Sequence, residues 1–466
     1  EEDVAVPILV VANLETMETK QYSGTSINTR VSSASFINND TLLITRSCAR
    51  GAGTSGTVDC YTLYGLNVET GKREALIQAK QTKSGQGVRY PSLFNSMPHY
   101  PNKILITINR MPQFPGRYRD LYWLDIDTKR TTKIAEVPNI KDEQFGRWLI
   151  DHDGNARGFT TSHDKGQDYK PNSARDGLYT YVYLMDPKTN EYSRMASCKH
   201  QEPCFMPLTF DFDNRSLFGV GQAVLPDGSL DPDWEYTDTN ALWLYDTVEK
   251  KYIEKVFHDP KFDFSNPRQG YSDGYVLQDT INKVNYGLSY YAETRKYIYW
   301  DETYGYLRES LQATFPEEQL SMYASSDFSK IIVSTTSDKS PGSAYYYDVE
   351  KGGIVQVAEY APWLKDYELG DMIPFEFTSR DGIDLTGYIT LPPDYRKGQK
   401  IPFILHPHGG PNAKDRFGYN PEVQIYATRG YGVLQVNYRG SVGFGLEKMK
   451  LANKQWSLKM HDDLLD

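Results

Sequence analysis

The feature that most constrains this chain is a recurring strand that runs into an Asn or Asp and then a polar turn. It occurs in "VVANLETMETKQY", "LYGLNVETGKREAL", "LYWLDIDTKRTTKI", "VYLMDPKTNEYSRM", "LWLYDTVEKKYIEKV", "IYWDETYGYLRES" and "YYYDVEKGGIVQV". In each, an aromatic or aliphatic strand reaches the turn and a second alternating strand leaves it. The aligned residues are Asn13, Asn67, Asp125, Asp186, Asp246, Asp301 and Asp348, 47 to 61 residues apart. Asn and Asp side chains accept hydrogen bonds from backbone two residues on, so all seven read as turn-makers and not as site residues. A further strand–turn–strand unit precedes most of them, as in "ASFINNDTLLITRS", "DFDNRSLFGVGQ" and "YASSDFSKIIVSTTS".

Each period therefore holds about four antiparallel strands, the content of one propeller blade. With 36 Tyr, 36 Gly and 25 Pro in 466 residues, short strands and turns are favoured over long helices. The expected fold over residues 1–362 is a seven-bladed β-propeller whose first blade is incomplete. Only the last strands of that blade, near residues 4–24, are in the sequence. A propeller closes to leave no free sheet edge, so its partner strands are expected upstream of Glu1. "DHDGNARG", residues 151–158, resembles the start of a calcium loop, but its glycine is fourth instead of sixth and no Glu stands twelfth. It reads as a blade turn. "HDKGQDYKPNSARDG" and "PDGSLDPDWEY" exceed hairpin turns and read as loops on one face.

Net charge is −10, which argues against a general nucleic-acid binder. No apolar run approaches the roughly 18 residues that would span a membrane. The opening "EEDVAVPILVV" has no basic segment and is not a signal peptide, though a removed one is compatible with it. The four cysteines fall into two close pairs. Cys48 and Cys60 flank "ARGAGTSGTVD"; Cys198 and Cys204 flank "KHQEP". Two local disulfides suit an oxidising compartment, and so a periplasmic or secreted protein. The alternative is four buried thiols in a cytoplasmic one. A zinc site on His200 with Cys198 and Cys204 lacks a second ligand pair. Neither a metal nor a cofactor is expected.

The pattern changes after "YAPWLKDYELGD", and residues 363–466 form a second domain. "IPFEFTSRDGIDLTGYITLPPDY" gives two alternating strands around an Arg-Asp-Gly turn. "KIPFILHPHGG" is a continuous apolar strand of the kind buried on both faces. "PEVQIYATRG" is helix-like, "YGVLQVNY" is another buried strand, and "LKMHDDLLD" starts a further helix. Apolar strands alternating with helices indicate a parallel α/β sheet.

"HGGP", then "ATRGYGVLQVNYRGSVGFG", then a Trp and "DD" at 462–463, resembles the opening of the catalytic domain of the prolyl oligopeptidase family. The acylaminoacyl and dipeptidyl peptidase branch is the most similar. The resemblance is strong over residues 370–466 and weak over the propeller. "QWSLK" departs from it, because Gly is expected after the Trp. The resemblance implies a seven-bladed propeller joined to an α/β-hydrolase domain. It also implies a serine peptidase that cleaves short peptides through an acyl-enzyme, with the propeller restricting access.

Acyl transfer passes through a tetrahedral oxyanion, which preorganised N–H donors stabilise. In α/β-hydrolases one donor comes from the loop after the third strand, often an HGGG-type motif. "HPHGGP" occupies that place. Glycine lets the backbone approach the substrate, and Pro411 stiffens the loop. By resemblance Gly410, with Gly409, supplies the donor, while His408 braces the loop and is not the base. His406 and His408 alternate along one strand, yet the segment offers no further metal partners. Ser441 in "RGSVG" lacks the Gly two residues earlier that a nucleophile elbow needs, so it and Arg439 shape the cleft wall. "GYSDG", residues 270–274, matches G-x-S-x-G around Ser272 but stands between a turn-like run and strands. No credible nucleophile remains. The triad is expected beyond Asp466, on a C-terminal remainder of the same protein, and this fragment alone is expected to be inactive.

The expected partner is a peptide substrate, and self-association into a homo-oligomer stays open. Removal of dipeptides would need acidic residues to hold a free amine, and many Asp and Glu could do so. An esterase carrying a propeller, or a non-enzymatic propeller with a hydrolase remnant, are the rival readings.

Overall fold

The structure is a computed structural model that describes residues 8–23, 29–48, 61–81, 88–109, 119–164, 178–266 and 272–466. By compactness the chain divides into two units. One comprises Glu1–Lys165, Gly177–Met195 and Thr209–Arg215; the other comprises Gly166–Asp176, Ala196–Leu208 and Ser216–Asp466.

Up to Glu359 the described residues form successive antiparallel meanders in which each strand pairs with its neighbours in the chain. Five have the four strands expected of a blade. They run from Thr29–Phe36 to Arg73–Ile77, from Pro91–Asn95 to Thr131–Ala135, from Gln144–Ile150 to Tyr192–Lys199, from Phe205–Phe210 to Lys251–Phe257, and from Gln319–Ala324 to Gly353–Glu359. The opening sheet has two strands, Ile8–Ala12 and Thr19–Ser23.

Six of the seven turn residues make the hairpins their chemistry suggests. Asn13 Oδ1 accepts the N–H of Glu15, Asn67 Oδ1 that of Thr70, Asp125 Oδ1 that of Thr128 and Asp186 Oδ1 that of Lys188. Asp246 and Asp348 accept likewise from Val248 and Lys351. Asp301 departs from the expectation. It caps the helix Glu302–Thr314 by accepting the N–H of Tyr304 at 2.7 Å, where a fourth strand was expected, so that sheet (Tyr275–Asp279, Val284–Tyr291, Arg295–Tyr299) has three strands. The reason is periodicity: Tyr304, Arg308 and Leu311 recur at helical spacing and are buried together, which a strand cannot do. In "DHDGNARG", Asp151 accepts the N–H groups of Asp153 and Asn155 and faces Arg157, so it is a blade turn.

Within the first unit, Leu43, Ile104, Ile106 and Leu124 form one buried cluster and Leu121, Trp148 and Phe159 another. Within the second, the Glu302–Thr314 helix packs Leu311 on Leu320, Ile331 and Val333.

The sheet after residue 370 is mixed, not parallel throughout. Its spatial order is Asp371–Thr378, Asp384–Leu391, Gly432–Asn437, Phe403–Leu405. Only the last pair is parallel. The helix Pro421–Ala427 connects them, capped by Asn420 and buried through Val423 and Ala427. The Phe403–Leu405 strand was expected to be buried on both faces. It holds three residues, and Phe403 and Leu405 are 48% and 37% exposed. It is the edge of the sheet.

Candidate active site

The chain leaves the edge strand at Leu405 and runs through 406–414 without regular structure, so His406 and His408 do not share a strand face. His406 Nε2 lies 3.4 Å from Glu422, while His408 turns to the opposite partner, Ser441. His408 Nε2 lies 3.0 Å from Ser441 Oγ and its Nδ1 2.9 Å from Gly409 O, while Ser441 Oγ is 2.6 Å from Tyr438 O. His408 stacks on the Tyr438 ring at 4.6 Å, and the Tyr438 hydroxyl donates to His408 O at 2.9 Å. His408 is therefore spent as a brace, and Ser441, fully buried, is its anchor.

Gly410 sits at φ 142°, and a Cβ there would lie 2.8 Å from Asn412 N. Position 410 thus requires glycine on two counts. The peptide bond to Pro411 is cis. The loop is tied beyond it, where Asn412 Nδ2 donates to Gly440 O at 3.1 Å and Val442 N to Ala413 O at 3.1 Å. Gly440, at φ 95°, is where Pro411 and Ala452 come closest, leaving no room for a side chain. So "NYRGSVGFG" is the wall that holds "HPHGGP", and the N–H groups of Gly409 and Gly410 meet no acceptor among the described residues.

The decoy motif has a different role. A strand follows Ser272 (Tyr275–Asp279), which excludes an elbow there. Its neighbour Asp273 latches the segment just past the glycine loop. It accepts two bonds from Arg416 at 2.9 Å and one from the buried Lys414 at 2.9 Å. Burial alone would raise the Asp273 carboxyl; Lys414 and Arg416 outweigh it and hold it below the usual carboxylate range. Burial lowers the Lys414 ammonium despite Asp273. The Tyr291 hydroxyl, pushed up to about 12 mainly by burial, donates to Phe417 O at 2.7 Å. None of this was legible in the motif, because Asp273 and Lys414 are far apart in sequence.

The "DD" pair is also explained. Asp463 accepts from Arg439 through Nε at 2.8 Å, Nη2 at 2.6 Å and the backbone N at 2.9 Å. Asp381, in the Arg-Asp-Gly turn, closes a second fork on the same guanidinium at 2.7 and 2.9 Å. Asp463 and Asp381 hold that guanidinium above its ordinary value. Ser457, which stands where Gly was expected, takes φ 55°, the left-handed region that favours glycine. Cys198 and Cys204 are bonded, with Cα atoms 5.0 Å apart. The Cys48–Cys60 pairing lies outside the described residues. No group of His, Cys, Asp or Glu among the described residues is arranged to hold a metal ion, and no described helix is long and apolar enough to cross a membrane.

Successive antiparallel meanders followed by a mixed sheet, with a braced glycine loop after that sheet's edge strand, are the elements from which a propeller-bearing α/β-hydrolase is built. No family model matches the chain. Dipeptidyl aminopeptidase BIII of Pseudoxanthomonas mexicana is 37% identical over 436 residues, covering 92% of this chain and 55% of that protein. Dipeptidyl peptidase family member 6 of Caenorhabditis elegans is 26% identical over 354 residues, 70% of this chain and 44% of that one. The chain thus spans about half the length of the curated relatives it matches. Among solved structures, the Pyrococcus horikoshii acylaminoacyl peptidase superposes with TM-score 0.52 at 15% identity, covering 98% of this chain and 65% of that one. A puromycin hydrolase gives 0.54 at 14%, covering 98% and 66%. These two likenesses carry the fold. The sequence relatives are dipeptidyl peptidases, and the chain is similar to the prolyl oligopeptidase family that its motifs resemble.

Proposed function

We propose that the protein is a serine-type peptidase that hydrolyses short peptides through an acyl-enzyme. The observation that carries this is the Gly410 N–H: it has no acceptor among the described residues and sits on a loop braced by His408, Asn412 and Val442. A preorganised donor of that kind stabilises the oxyanion of the tetrahedral intermediate, and removing one costs roughly 10²–10³ in kcat. Gly409 lies beside it as a second donor, and Pro411 sets the turn. The nucleophile, acid and base are proposed to come from sequence beyond Asp466. The meanders up to residue 362 are proposed to be the blades of a seven-bladed propeller that admits peptides and excludes folded proteins. The periplasm or the exterior is the proposed location, with the Cys198–Cys204 disulfide in support.

The test compares a peptide anilide with a simple ester as substrates of the full-length enzyme, together with fluorophosphonate labelling. Preferred turnover of the anilide, and a labelled serine in the C-terminal part, are expected; residues 1–466 alone are expected to stay unlabelled. Labelling at Ser272 or Ser441 would overturn the assignment, and preference for the ester would favour an esterase.

A further inference from the structure

The segment 406–414 that carries the glycines begins at His406 and hands over to Asp415, and each end holds a buried polar atom without a partner among the described residues. These atoms are His406 Nδ1 and Asp415 Oδ2. A third, Gln435 Oε1, belongs to a residue 2% exposed on the interior strand Gly432–Asn437. The sheet draws the three segments together. Leu405 pairs with Leu434, and the His406 N–H donates to Leu434 O at 2.8 Å, which brings His406 abreast of Gln435. Asp415 reaches the same strand by donating its N–H to Asn437 Oδ1 at 2.8 Å.

Asp415 and Gln435 already share one bond, from Gln435 Nε2 to Asp415 Oδ1 at 3.0 Å. The atoms left over are the second oxygen of the carboxyl and the oxygen of the amide. With Asp415 ionised, both are acceptors. So is the Nδ1 of a neutral His406 whose N–H points at Glu422, 3.4 Å from Nε2. Buried acceptors without a donor are costly. The other titratable groups around Asp415 are engaged elsewhere. Arg416 and Lys414 are bonded to Asp273, and His408 lies against Ser441 and Gly409 O. The Tyr438 hydroxyl donates to His408 O and the Tyr388 hydroxyl to Glu293 O. Glu293 and Glu376, which line a cavity with Asp415, are held by Lys261.

We propose that Asp415 is a positioning residue held as the carboxylic acid, its Oδ2–H donated to Gln435 Oε1, so that one proton taken from solvent fastens the far end of the glycine loop to the sheet. A carboxylic acid has one O–H donor and one acceptor oxygen, so it joins a primary amide through two bonds, of which the structure already contains one. Burial raises the Asp415 carboxyl, and His408, Gln435, His406 and Arg416 offset that in part. The stabilisation is therefore full below the unfolded value of about 4 and is lost as pH rises through the raised one. Release of the proton to water leaves Oδ2, Oε1 and His406 Nδ1 all as acceptors. The pair itself does not rest on the peptidase reading; only its effect on turnover does.

The experiment is infrared difference spectroscopy of the full-length protein, wild type minus Asp415→Asn, at about pH 6, roughly two units above an ordinary aspartate. The carbonyl stretch of one un-ionised carboxyl is expected in the wild type alone, fading as pH is raised. Asp263, pushed up to about 6, contributes to both proteins and cancels. Asn carries a permanent N–H donor where the acid has its O–H. Asp415→Asn is therefore expected to fold, and its urea midpoint to fall less than the wild type's from about pH 4 to 8. Asp415→Ala, which leaves both polar atoms of the Gln435 amide unpaired, is expected to have a lower midpoint at every pH. Absence of the carboxyl band, which puts the proton on His406 or leaves Asp415 ionised, overturns the proposal. So does an Asp415→Asn protein that fails to fold or loses as much as Asp415→Ala. Toward a peptide anilide, the alkaline loss of kcat is expected to be smaller in Asp415→Asn than in the wild type, and an equal loss overturns the positioning role. A carboxyl band in a full-length protein without peptidase activity leaves the pair standing and sinks the functional reading alone.

Discussion

At the scale of single residues, glycine geometry and buried charge govern the loop. Gly410→Ala places a Cβ against Asn412 N at a φ that L residues avoid. The full-length enzyme is expected to lose roughly 10²-fold or more in kcat/KM toward a peptide anilide while remaining folded. Ser457→Gly is expected to stabilise the chain by about 1 kcal/mol in urea denaturation, because Ser457 already occupies a left-handed conformation. Two carboxylates give opposite pH signatures. Asp273 has a folded value below its unfolded one, near about 4, so its stabilisation is full above that pH and is lost as pH falls through its lowered value. Asp263 is buried and pushed up to about 6, chiefly by desolvation. It therefore favours the folded state most at low pH, and stability declines as pH rises from about 4 to 6. Asp263→Asn is expected to remove that decline, read as a flatter dependence of urea midpoint on pH across the window.

At the scale of elements, one ion cluster and one disulfide join segments that local propensity would leave loose. The helix Lys459–Leu465 lacks a side-chain cap and is held by Asp463 on Arg439, Lys459 on Asp381, and Asp462 and Asp466 on Arg380. Asp463→Ala leaves a nearly buried guanidinium with only Asp381 and Lys459's competing contact to that same carboxylate. A loss of about 3 kcal/mol is expected by equilibrium denaturation. Reducing Cys198–Cys204, or replacing both by Ala, is expected to cost roughly 2–3 kcal/mol, read as a midpoint shift with and without reductant. Strands and turns were largely legible at this scale, since an Asx turn is a contact over two or three residues. Asp301 shows the limit. Its turn chemistry serves a hairpin and a helix cap equally, and only burial of Tyr304, Arg308 and Leu311 on one face selects the helix.

At the scale of the whole molecule, the segment that follows the glycine loop depends on a residue remote in sequence. Asp273, from the meander part of the second unit, fixes Lys414 and Arg416 immediately after the loop. Asp273→Asn would keep the shape and remove the charge. It is expected to destabilise the fold at neutral pH and to lower turnover, while the acid-induced loss attributed to Asp273 disappears. Short peptides are expected to be cut while the same sequence inside a folded protein is not, as digestion followed by mass spectrometry would show.

The sequence by itself determined the repeating strands, the change of pattern near residue 370 and the glycine loop with its wall, because each is written in residues close along the chain. His408, Gly409, Gly410 and Pro411 could be named from four letters in their local context. What the tertiary structure decided were the long-range pairings: Ser441 as anchor of His408, Asp463 and Asp381 on Arg439, and Asp273 on Lys414 and Arg416. A buried charge or polar atom is defined by what surrounds it in space, and that is settled only when segments distant in sequence pack together.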